Sequence, residues 1–291
     1  MSPPRPSRGG RRNLPRPGQA GGVAGRRGGS RRAPAADDLG GEQVEGRQAV
    51  RELLRAGRRR VHQVFVAEGS DAAGPLAEIL ELTRARGVAV RRVDRGQLDA
   101  MALTDAPQGV VARADPISGV DLDALTAPGP SGPAPFLVVL DGVTDPHNLG
   151  AVMRSALSAG ATGLVTGRHR SARLTPAALK AAAGAAEYLP VATVPGIPAA
   201  LTALAAAGVW TVALDADAPT SLWDLRVASE PIALVLGAEG RGLGRLVRQR
   251  CDLVVEIPLV GPIESLNVSA AAALACFEIA RGRTIRAIRT N

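Results

Sequence analysis

Between Phe136 and Gly160 the apolar residues change period within one short stretch, FLVVLDGVTDPHNLGAVMRSALSAG. Phe136 to Leu140 is an uninterrupted apolar run, the pattern of a strand buried on both faces. Asp141 to Asn148 is polar and punctuated by Gly142 and Pro146, as a turn is. From there Leu149, Val152, Met153, Ala156 and Leu157 recur at helical spacing, and Gly160 closes the helix. A strand needing cover on both faces, followed at once by a helix, points to a parallel sheet layered between helices. The alternation continues: strand 163–166, helix 175–188, strand 191–194, helix 198–207, strand 209–214, then apolar runs opening at Ile232 and Leu253. Sheets of this kind present chemistry at the carboxyl ends of their strands. In the first unit that place holds Asn148, with Arg154 on the helix's other face. An ordinary βα unit with a solvated arginine has the same pattern.

Two later stretches add to it. Ile232 to Gly244, IALVLGAEGRGLG, is a second buried strand running into a Gly-rich turn that carries Glu239. Leu253 to Arg281, LVVEIPLVGPIESLNVSAAAALACFEIAR, is a third strand, a loop and a long Ala-rich helix. Taken in order, the three blocks resemble the SpoU-type RNA ribose 2'-O-methyltransferases of the knotted SPOUT superfamily. Asn148 and Arg154 match the family's first motif, and Glu239 between Gly237 and Gly240 the second. Ser265, Leu266, Asn267 and Ser269 match the third. Within the family, DGVTDPHNLGAVMRSA and VEGRQAVRELL are most similar to the bacterial 23S rRNA guanosine 2'-O-methyltransferases.

The resemblance implies an α/β fold. Its C-terminal part would be a parallel-sheet methyltransferase domain tied in a deep trefoil knot, which no pattern of periods would suggest. It also implies S-adenosylmethionine as cofactor, held at Gly237, Ile257 and Leu266. The implied catalytic set is Asn148, Arg154, Glu239, Ser265 and Asn267. The family proposes Arg154 as general base, but a guanidinium stays protonated in proteins, so a clamp on phosphate and a stabiliser of forming alkoxide is the better role. Glu239 would fix Arg154 or accept a proton. Asn148 and Asn267 would orient the ribose or each other. Structural readings stand beside these: Ser265 and Asn267 as caps of the last helix, Glu239 as a solvated turn residue. His147, His62 and His169 have no evident role. A third Gly is missing where a dinucleotide fingerprint needs it, since Arg245 stands there, and there is no Walker sequence.

Composition divides the chain. Residues 1–40 hold nine arginines against two aspartates, which is seven of the eight net positive charges, and almost nothing apolar. Such a segment reads as a disordered tail with a non-specific electrostatic grip on RNA. Residues 42–114 read as a small α/β domain, with helix 47–54, strand 61–67, helix 75–86, strand 88–93 and strand 110–114. In the family this domain resembles a ribosomal-protein fold that holds RNA, and the basic run Arg58, Arg59, Arg60 fits that use. Residues 115–135 read as a linker rich in Pro, Gly, Ala and Ser, and residues 136–291 as the methyltransferase domain. Aromatics are only 2%, which argues against base-stacking RNA modules. Two cysteines make neither a disulfide framework nor a zinc site, and no apolar run spans a membrane. The expectation is a cytoplasmic homodimer, pairing through the C-terminal domain, that acts on 23S rRNA or a ribosomal assembly intermediate. Methylation of tRNA, antibiotic-resistance methylation of rRNA, and a non-catalytic RNA-binding assembly factor are the alternatives.

Overall fold

The computed structural model describes residues 38–127, 133–262 and 265–290, the last six of them by backbone alone. The N-terminal unit runs β1 (Gln43–Glu45), α1 (Arg47–Ala56), β2 (Val61–Ala67), α2 (Pro75–Ala85), β3 (Ala89–Val93), α3 (Arg95–Met101) and β4 (Val110–Ala114). Its sheet has the order β1-β4-β2-β3, antiparallel except for the β2–β3 pair. Alternate residues of β2 serve opposite faces. Val64 and Val66 pack with Leu53, Leu76 and Ile79 of α1 and α2, while Phe65 and Ala67 pack with Leu98 of α3.

The second unit continues with α4 (Leu122–Thr126), β5 (Phe136–Asp141), α5 (Pro146–Ser158), β6 (Gly163–Gly167), α6 (Pro176–Ala182) and β7 (Val191–Val194). Then come α7 (Ile197–Ala206), β8 (Trp210–Leu214), β9 (Thr220–Ser221), β10 (Ile232–Gly237), α8 (Arg245–Arg250), β11 (Leu253–Glu256) and α9 (Val268–Thr290). Every pairing in the seven-stranded sheet, ordered β7-β6-β5-β10-β8-β11-β9, is parallel. In β5, Phe136, Val138 and Leu140 face the core made with α5 and α9, and Leu137 and Val139 face Leu201 and Leu204 of α7. That double burial is why this strand and β10 read as continuous apolar runs. Helix 175–188 is shorter than its Ala-rich sequence suggests. It ends at Ala183 in the left-handed region, followed by a separate 3-10 turn at Ala185–Glu187.

Chain order decides where a crevice opens. β5, β6 and β7 march to one edge, and β10 later returns to pair with β5 on its other side. The connections leaving the carboxyl ends of β5 and β10 therefore lead to opposite sides of that pair, toward β6 and toward β11, which is the switch point where open α/β sheets bind ligands.

Two expectations need correction. Asp38 to Gly40 belong to the folded part: Asp38 bridges Ser118, Gly40 bridges Leu174, and Leu39 is 7% exposed within the core. The expected tail thus includes three residues that are structural. The run Arg58 to Arg60 is also not a uniform RNA-facing patch. Arg59 forms an ion pair with Glu187 at 2.6 Å, with side chains only 7% and 4% exposed, and donates to the Gly41 and Asp115 carbonyls. Arg58 lies over the Tyr188 ring and donates to the Tyr188 carbonyl. A desolvated guanidinium needs a carboxylate and carbonyls around it, and Glu187, far away in sequence, supplies them.

Candidate active site

The loop after β5 starts at Asp141, whose Oδ2 accepts from the Gly244 N–H at 2.8 Å and so ties this loop to the end of the Gly-rich turn. Asp145 then caps α5: its Oδ1 accepts from the His147 N–H at 2.9 Å. Pro146 follows in the first turn, where its missing N–H costs nothing. The cap sets Asn148 inside the loop, 7% exposed, with its Nδ2 donating to Asp145 Oδ2 at 3.1 Å.

After β10, the backbones of Ala238 and Gly242 bond each other in both directions, making a tight turn with Glu239 near its tip. Gly240 and Gly242 take positive φ there. Gly237 is required for another reason, since a Cβ on it would lie 2.2 Å from the Gly242 carbonyl carbon.

After β11, the chain returns to the same point and starts α9. Asn267 sits just before the helix, and its Oδ1 accepts from the Ser269 N–H at 2.8 Å and the Ser269 hydroxyl at 2.6 Å. The amide oxygen is thereby committed, so Nδ2 faces the two acceptors, Asn148 Oδ1 at 3.1 Å and Glu239 Oε1 at 2.5 Å. Asp145, Asn148, Asn267 and Glu239 form one hydrogen-bonded chain that joins all three motif loops. Among the described residues, Glu239 Oε2 has no protein partner.

Beside this chain lies a cavity of about 610 Å³. Gly237, Ile257 and Leu266 line it, together with Glu239, Ser265 and Asn267. Leu214 and Leu259 add apolar wall, and the Gly-rich turn adds backbone. A slot with apolar walls, edged by backbone groups, the Asp215 and Glu239 carboxylates and Arg241, suits a small molecule with both apolar and charged parts.

Arg154 stands apart. It is exposed on α5, and no described residue bonds to it or pairs with it. Six residues beyond Asn148, it lies about 9 Å further along the helix and on a different face. It does not meet Glu239, whose bonded oxygen is taken by Asn267.

The role of Asp145 escaped the sequence reading, although an Asp before Pro at a helix start was a visible sign of a cap. Among the described residues no cluster of His, Cys, Asp and Glu could hold a metal ion, and no helix is long and apolar enough to cross a membrane. Burial pushes both thiols, Cys251 and Cys276, up to about 12, so neither offers a thiolate nucleophile near neutrality.

Comparison with known proteins gives the family. Residues 135–277 match the model of the SpoU rRNA Methylase family, and residues 43–119 that of RNA 2'-O ribose methyltransferase substrate binding. The chain is 39% identical to the 23S rRNA (guanosine-2'-O-)-methyltransferase RlmB of Yersinia pestis, over 84% of this chain and 99% of that protein. It is 42% identical to an uncharacterized tRNA/rRNA methyltransferase of Mycolicibacterium vanbaalenii, over 83% of this chain and 77% of the other. Among solved structures, the SpoU methyltransferase AviRb from Streptomyces viridochromogenes, in complex with the cofactor AdoMet, superposes with a TM-score of 0.67. That match has 27% identity and covers 83% of this chain and 90% of AviRb.

Proposed function

The chain belongs to the SpoU rRNA methylase family and is an S-adenosylmethionine-dependent methyltransferase, and from that premise we propose that it methylates a guanosine ribose 2'-hydroxyl in 23S rRNA. The observation that carries this reading is the chain Asp145–Asn148–Asn267–Glu239 at the mouth of the cavity at the switch point. Similarity to the Yersinia pestis enzyme over nearly its whole length supports the choice of RNA.

S-adenosylmethionine supplies an electrophilic methyl group. The lining suits it: Ile257 and Leu266 would meet its apolar part, and the backbone near Gly237 would bond its polar edge. Asn267 holds Glu239 and Asn148 in register but has no amide hydrogen left for a substrate, so it is a positioning residue. Glu239 has Oε2 left for the acceptor hydroxyl and takes its proton or its hydrogen bond. Asn148 retains one amide hydrogen for the ribose. Arg154 clamps a phosphate beside the target and steadies the forming alkoxide. Ser265 lines the cavity and orients its occupant.

We also propose a homodimer through α9. Leu274 and Phe277, one turn apart, are 44% and 53% exposed on that helix, which packs beside α5 and its Arg154. Light scattering of Phe277→Glu checks this, with a monomer expected. Wild-type protein that is itself monomeric at micromolar concentration while fully active would rule pairing out.

The substrate is tested by single-turnover transfer of labelled methyl to a 23S rRNA fragment and to tRNA, followed by mapping of 2'-O-methyl positions. Label on a guanosine of the rRNA fragment is expected. Label on tRNA alone, or none, would overturn the assignment.

A further inference from the structure

From Pro146 to Ala186 the chain has no aspartate or glutamate, although the part of the protein after residue 40 is close to neutral. The same span has Arg154, Arg168, Arg170, Arg173 and Lys180. Three of these arginines and His169 lie in the loop from β6 to α6, all of them exposed. Structural arginines in this protein sit against carboxylates or carbonyls, as Arg59, Arg248 and Arg283 do. Arg170 and His169 have no described partner, and Arg173 spends one N–H on the Asp38 carbonyl at 3.3 Å.

The loop is held in shape. The Arg168 N–H donates to the Val194 carbonyl at 2.8 Å, the Ser171 hydroxyl to the Gly167 carbonyl, and the Leu174 N–H to the Leu39 carbonyl at 3.2 Å. The Ala172 N–H donates to the Val143 carbonyl at 2.9 Å, which fastens the loop to the turn that leads into Asn148. Arg170 sits at φ 56°, a left-handed conformation that costs a non-glycine residue free energy and that here occurs within a charged, outward-facing loop.

Along the carboxyl edge of the sheet, β10 with the cofactor cavity lies on one side of β5, and β6 with this loop lies on the other. The Asn148 turn is between them. A nucleotide whose ribose is at Asn148 has the cavity on one flank and the arginines on the other. Guanidiniums spaced along a loop held in shape, with no aspartate or glutamate in the loop itself, suit successive phosphates.

We propose that the loop 168–173 holds the RNA backbone next to the target ribose, with Arg170 and Arg173 each on a phosphate. This grip lies on the methyltransferase domain and is separate from the substrate-binding domain. The inference rests on the RNA methyltransferase reading of the neighbouring site.

The test is Arg170→Asn with Arg173→Gln, where asparagine suits the left-handed position and both changes remove charge without adding bulk. Arg226→Ala is the control, because Arg226 is exposed in the segment that leads into the amino end of β10, whereas the loop leaves the carboxyl end of β6. Binding of a 23S rRNA fragment is followed against salt, beside calorimetry with S-adenosylmethionine and single-turnover transfer at saturating RNA. The double variant should lose roughly tenfold in RNA affinity per arginine at 0.1 M salt, with the salt slope shallower by about one per arginine. Its cofactor affinity and its transfer rate at saturation should match the parent's, and the control should bind RNA as the parent does. Parent-like affinity and slope in the double variant would overturn the loop inference and leave the site assignment standing, as would an equal loss in the control. A parent protein that binds no RNA would overturn both.

Discussion

Asn267 does two jobs that one substitution separates. Its oxygen caps α9, and its nitrogen joins Asn148 to Glu239. Aspartate is as good a cap as asparagine, but it would set an acceptor against two acceptors. Asn267→Asp should therefore keep the helix cap, while single-turnover transfer falls roughly hundredfold, the scale of one misplaced polar group in a site. Asn267→Ala should in addition lose about 1 kcal/mol of stability with the cap. Equal activity in wild type and Asn267→Asp would remove the chain from the mechanism. Arg154→Ala tests the other half. It should bind S-adenosylmethionine normally, because Arg154 does not line the cavity, and lose roughly a hundred- to a thousandfold in transfer. Arg154→Lys should rescue little, because a point charge does not reproduce a planar fork. In the sequence, Asn267 and Ser265 had two readings each, cap or site. For Asn267 the alternatives were false rivals, because the capping bond is what aims the amide.

At the scale of elements, close approach decides what substitutions are possible. A Cβ on Gly150 would lie 2.3 Å from the Ala178 carbonyl oxygen, so α5 and α6 touch through this residue. Alanine would gain about 1 kcal/mol of helix propensity. Overpacking against a backbone costs typically 1–3 kcal/mol, and a carbonyl cannot rotate away as a side chain can. Gly150→Ala should thus lower stability on balance, read as a reduced midpoint in urea. A raised midpoint would show that α6 shifts freely. The same reasoning limits Gly237 as a probe of cofactor binding. Any side chain there would meet the Gly242 backbone and displace Glu239 along with the cavity wall. Ala216 lines the cavity from an exposed loop and is the better place to fill it. The glycines were visible in the sequence, but their partners belong to segments that only the fold brings near.

For the whole molecule, the Arg59–Glu187 pair joins the two units. Glu52 of α1 supports it by accepting from the Tyr188 hydroxyl at 3.0 Å, and Lys180 reaches Thr104 at 3.4 Å. Removing one partner of a buried pair typically costs 3–5 kcal/mol, because the other charge stays desolvated. Glu187→Gln should lower the Tm markedly, and Arg59→Ala together with Glu187→Gln should lower it less than the sum of the two changes. Strict additivity would show that the pair carries no coupling. The Arg-rich N-terminal segment calls for a cut at residue 37, since Leu39 and Gly40 are built into the fold. Removing residues 1–37 should leave cofactor binding intact and make the salt dependence of RNA binding shallower. Loss of folding would contradict the tail reading.

Period and composition determined a great deal here. The change from a continuous apolar run to helical spacing specifies a two-face-buried strand followed by a helix, as in β5 and α5, because side-chain period follows from backbone geometry alone. Asn148, Glu239 and Asn267 were named by the resemblance of their three motifs to a family, since the pattern of the first unit alone fits an ordinary strand and helix; that such units converge at one edge of a parallel sheet is general geometry. Other features had no local signal. β1, α3 and β9 are short or weakly patterned and take their form from the neighbours that pair with them. Arg59 looked like Arg58 and Arg60 until the fold placed Glu187 against it. The loop at 168–173 looked like any charged turn until β6 proved to lie next to β5. Strand order and interdomain pairing are contacts between residues distant in the chain, and their energies depend on burial and distance, which a linear sequence does not contain.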